Sequence, residues 1–61
     1  MTAEAFSAWL NAMDWTKARA ARELDVHPNT VHTYTKEGAP KLVRLACLAL
    51  FSRLNIPKFP F

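Results

Sequence analysis

Cysteine is almost missing from this sequence: Cys47 stands alone in 61 residues. A single thiol excludes an internal disulfide and a cysteine-rich zinc module, and it fits a reducing compartment such as the cytoplasm. Long hydrophobic runs are missing too. The longest covers residues 45–51, far below the ~20 apolar residues of a membrane-spanning helix. No signal peptide is visible, because the N-terminus carries Glu4 and lacks a basic start. Internal repeats and domain linkers are absent as well. No nucleophile, base and oxyanion donor fall into a catalytic pattern, so no enzyme is expected. His27 and His32 are five residues apart, which does not put them together on a helix, and no carboxylate completes a ligand set. Neither a metal nor another cofactor is expected. A domain this small leaves little room for a pocket, so no small-molecule ligand is expected either.

What is present is ample core material. Hydrophobic residues make up 51% of the chain, which argues against low-complexity disorder. The length allows one domain, and a domain near this size buries only about 60% of its unfolded surface. The chain starts with Met1, as a complete small protein would. The formal charge is +3 with a pI near 9.5, compatible with an anionic partner.

The periodicity predicts an all-α domain of four helices over 1–54, followed by an extended tail over 55–61. The first helix covers about 3–13. Thr2 is its N-cap and Glu4 lies in the first turn, where the helix dipole favours negative charge. Phe6, Trp9, Leu10 and Met13 share one face and read as core. The second helix covers 17–24. Thr16 caps it, and Trp15 and Ala20 are placed for a hydrophobic staple. Ala20, Ala21 and Leu24 form its inner face, with Lys17, Arg19 and Arg22 as an outer basic face.

The third helix covers 28–36. His27 precedes a proline, which disfavours the helical region, and Pro28 suits a first helical position. Val31 and Tyr34 point inward, Lys36 lies in the last turn, and Gly38 ends the helix. The fourth helix covers 40–54. Val43, Ala46, Cys47, Leu50 and Leu54 share a face, yet Leu45, Leu48 and Phe51 lie elsewhere. That is too apolar for one-sided packing.

The order helix, short turn, helix explains the stretch DVHPNTVHTYTKEG, residues 25–38. Its side chains are mostly short and hydrogen-bonding. In a helix-turn-helix the second helix enters the DNA major groove. Such a helix needs an inner face that packs and an outer face of small polar groups. Asn29, Thr30, His32, Thr33 and Lys36 supply the outer face. Asn can bond an adenine edge, and a threonine methyl can touch a thymine methyl.

On these residues, TKARAARELDVHPNTVHTYTKEG resembles the helix-turn-helix of the lambda repressor/Cro family. The resemblance spans residues 4–38. It rests on Ala21 at the small position of the first motif helix, Val26 in the turn, and Val31 and Tyr34 in the second helix. It implies a DNA-binding transcriptional regulator, acting as a repressor. Residues matching Lys17, Pro28, Asn29 and Thr33 then contact bases or phosphates, and the match to Lys36 meets a phosphate. Two positions depart from the family. Asp25 stands where the turn usually has glycine, though Asp tolerates a left-handed conformation. Pro28 offers no polar side chain to a base. One long fourth helix replaces the family's further short helices, as in small phage-type regulators.

The expected base contacts are therefore Pro28, Asn29, His32 and Thr33. The expected phosphate contacts are Lys17, Arg19, Arg22, Thr30 and Lys36. The partner is double-stranded DNA carrying an inverted repeat. A homodimer is expected through Leu45, Leu48 and Phe51, joined by Ile56 and Phe59 from the tail. The alternative is a helical protein-binding module, an antitoxin or adaptor that reuses the fold. That alternative calls for apolar anchors on the third helix, where this chain has Asn, Thr and His.

Overall fold

The computed structural model describes residues 1–53. Four helices follow one another: α1 (Ala3–Met13), α2 (Lys17–Leu24), α3 (Pro28–Glu37) and α4 (Lys41–Ser52). Among the described residues the domain is all-α. The tail over 55–61 and Leu54 lie outside them.

Each helix end has a local cause. Thr2 Oγ1 accepts from Ala5 N–H at 3.1 Å, and Thr16 Oγ1 accepts from Arg19 N–H at 3.2 Å. Both satisfy donors that a helix start leaves unpaired. His27 caps α3 in the same way, its Nδ1 accepting from Asn29 N–H at 3.0 Å. Nothing in the sequence pattern marks His27 as a cap; it stands out there as the residue before a proline. α1 and α2 end on left-handed residues, Asp14 (φ 57) and Asp25 (φ 58). Aspartate is among the few residues other than glycine that adopt this conformation readily.

α3 extends one residue beyond the expected 28–36, because Gly38 N–H still bonds Tyr34 O at 3.0 Å. α4 starts one residue later than expected. Pro40 is extended (ψ 160) and serves as N-cap without a side-chain cap bond. At its other end Ser52 is the last helical residue and Arg53 the C-cap, and the last expected residue, 54, lies outside the described residues.

The core gathers Phe6, Trp9, Leu10 and Met13 of α1 with Ala20, Ala21, Val31, Cys47, Leu50 and Phe51. α2 packs on α3, and α1 packs on both α3 and α4. The small Ala20 and Ala21 let α2 approach closely. Phe6 stacks edge-on against Tyr34 with ring centroids 5.4 Å apart. Trp9 meets Trp15 at 5.8 Å, also edge-on, and its indole N–H donates to Cys47 O at 3.2 Å. Such contacts add to area burial and direct the rings. The N-terminus closes the structure. The Met1 amine donates to Ala39 O at 3.1 Å, and Ala39 N–H donates to Met1 O at 2.9 Å.

Candidate functional site

α3 repeats every 3.6 residues, so positions 29, 32, 33 and 36 fall on one face. Asn29, His32, Thr33 and Lys36 are all exposed there. Val31, nearly opposite, is fully buried, and Tyr34 is half-buried against the core. The outer face of α3 is thus a continuous stripe of amide, imidazole, hydroxyl and ammonium. Thr30 lies on the flank and is half-buried. Its expected place on the outer face is corrected, because it sits about 100° from the neighbouring stripe position. Pro28 is exposed at the first turn.

Hydrogen bonds within α3 set what the stripe can offer. Thr33 Oγ1 donates to Asn29 O at 3.0 Å. The hydroxyl proton is used internally, so Thr33 presents a methyl and an accepting oxygen. Thr35 Oγ1 donates to His32 O at 2.6 Å, and Thr35 is half-buried beside the stripe.

Lys17, Arg19 and Arg22 do not form the single outer basic face that the sequence suggested. Residues two apart on a helix point about 200° from one another. Lys17 turns toward α3, with Nζ 3.0 Å from His32 Nδ1. It joins the stripe at its edge. Arg19 instead lies over the Trp15 ring, its guanidinium carbon 4.8 Å from the centroid. That contact is a cation–π interaction between α2 and the preceding turn. Arg22 is exposed on the side of α2 away from its buried alanines.

A second surface runs along α4. Leu42 is 76% exposed, Leu45 50% and Leu48 37%. Phe51, expected in the same exposed set, is only 4% exposed. It belongs to the core, one turn after Cys47 and beside Leu50, and is removed from that surface. Leu42 was missed by sequence reasoning although it stands three residues before Leu45. Ile56 and Phe59 lie outside the described residues. Next to this surface an apolar groove of about 430 Å³ is lined by Leu24, Val26, Tyr34, Pro40, Leu42, Val43 and Ala46. The expectation of little room for a pocket is corrected by this groove.

The described residues contain no group of three or more His, Cys, Asp or Glu side chains placed to hold a metal. The thiol of Cys47 is pushed up from 9.0 to about 12 by burial, against a smaller opposing pull from the positive N-terminus. It behaves as a core group. No described helix is long and apolar enough to cross a membrane.

No family model, curated protein or solved structure matches the chain. The functional reading therefore rests on the stripe and its chemistry.

Proposed function

We propose that the protein is a sequence-specific, double-stranded DNA-binding regulator, a repressor, that lays α3 in the major groove. α2, residues 25–27 and α3 are read as its helix-turn-helix. The observation that carries this reading is the exposed face Asn29, His32, Thr33 and Lys36 on a helix whose opposite face is core. These side chains are short enough to let the helix approach base edges, and they carry both donors and acceptors. Lys17 and Lys36 lie at the margins of the face, where phosphates flank a groove-bound helix. Asn29, His32 and Thr33 are assigned to bases. Arg19 and Arg22 are more distant candidates for phosphate.

The protein-binding alternative finds no large apolar anchor on this face of α3. The exposed leucines are on α4, where they fit a two-fold contact between copies of the chain. An inverted-repeat operator then matches the paired reading helices.

A titration of fluorescent duplex DNA at increasing salt tests the proposal. Each phosphate neutralised should contribute about −0.9 to the slope of log affinity against log salt. Absence of binding at low salt, or an affinity independent of salt, refutes it.

A further inference from the structure

The contact between Lys17 and His32 fixes more than the position of a side chain. Lys17 Nζ lies 3.0 Å from His32 Nδ1. An ammonium has three donors and no acceptor, so Nδ1 must be the acceptor. A neutral imidazole that accepts at one nitrogen carries its proton on the other. His32 is therefore held with its proton on Nε2. The ring is exposed, and the Nε2–H bond diverges from Lys17.

We propose that Lys17 makes His32 an obligate hydrogen-bond donor, and that His32 thereby selects guanine; this rests on the DNA-binding reading above. In the major groove guanine presents two adjacent acceptors, N7 and O6. Cytosine presents the N4 amino donor, which opposes another donor. Adenine sets a donor beside its acceptor, and thymine sets a methyl beside its acceptor. Guanine is the base against which a lone N–H donor meets acceptors on both sides. A neutral histidine without Lys17 exchanges its proton between the two nitrogens and accepts as readily as it donates. The ammonium thus supplies selectivity without touching the base. Its remaining donors stay available to a phosphate.

The stripe divides its roles accordingly. Thr33, with its proton given to Asn29 O, offers an acceptor and a methyl next to the His32 donor. His27 is held in the same tautomer by Asn29 N–H, but at the N-cap. It serves as an internal reference.

Two measurements on the full chain test the proposal. Long-range ¹H–¹⁵N spectra at about pH 8, where imidazole is ordinarily neutral, read the tautomer without DNA. His32 should carry its proton on Nε2 in the wild type and in Lys17→Arg, and become a mixture in Lys17→Met, with His27 unchanged in all three. Selection from random duplexes with wild type, His32→Ala and Lys17→Met reads the base. The column flattened by His32→Ala should be guanine in the wild type. Placing 7-deazaguanine there, which removes N7, should weaken binding about 5-fold. Lys17→Met should relax that column, whereas losing only a phosphate contact lowers affinity and leaves sequence preference intact. A proton on Nδ1 of His32 in the free chain, or cytosine or no preference in that column, overturns the proposal while DNA binding stands. Failure to bind any duplex overturns the DNA reading and the guanine assignment together.

Discussion

Gly38 is the only glycine in the chain, and two constraints hold it there. Its φ is +94, and a Cβ built on it would lie 2.7 Å from Met1 O. Gly38→Ala should therefore cost about 1–3 kcal/mol through backbone strain and displacement of the N-terminal clasp. Urea unfolding reads the change, and an unaltered midpoint contradicts it. The sequence marks Gly38 as a helix end. The approach of Met1 is not legible there, because it joins the N-terminus to the connection between α3 and α4, far away in sequence. His27 was missed for another reason: histidine is not among the usual capping residues, so nothing signalled the Nδ1 bond to Asn29. Cys47 gives a pH prediction. Its folded value, about 12, lies above the ordinary 9.0. The unfolded thiol loses its proton first as pH rises, so the native state binds more protons between these values. Cys47 should support folding below about pH 9 and lose that contribution as pH climbs toward about 12. Reaction with a thiol reagent at mildly alkaline pH should be slow in the folded chain and fast in urea. Equal rates contradict the burial argument.

At the scale of elements, α3 carries the clearest sequence signal and the most specific expectations. Pro28 as a first helical residue, Val31 inward and a polar outer face are local properties of ten residues. Periodicity alone exposes them. Asn29→Ala should cost about 1–3 kcal/mol of binding and relax one base position. Lys36→Ala should weaken all duplexes alike and reduce the magnitude of the salt slope by about one unit. Binding measured for a panel of single-base variants separates the two outcomes. A uniform loss in Asn29→Ala, or a position-specific one in Lys36→Ala, reverses the assignments. α2 was less legible. Counting its basic residues merged Lys17 with Arg19 and Arg22, although helical rotation turns Lys17 to α3 and Arg19 to Trp15. In α4 so many positions are apolar that composition cannot choose among faces. Only packing showed that Phe51 is core and Leu42 is outside.

At the scale of the whole molecule, one small domain has two unlike surfaces, the polar stripe of α3 and the leucines of α4. A dimer formed through α4 buries Leu42, Leu45 and Leu48 twice over, and two-fold symmetry repeats the same patch on both subunits. Leu45→Glu places the charge at a half-exposed position, so the fold should persist while dimer population and operator affinity fall together. Sedimentation and circular dichroism check this. A variant that dimerises normally rejects this face. A wild type that stays monomeric far above the concentration needed for DNA binding rejects the dimer itself. The central claim is that α3 reads DNA sequence, and selection from random duplex DNA tests it most directly. The expected result is enrichment of an inverted repeat whose half-sites lie one helical turn apart, about 34–36 Å centre to centre, or a multiple of that. Bound DNA with the same base frequencies as the starting pool would contradict it.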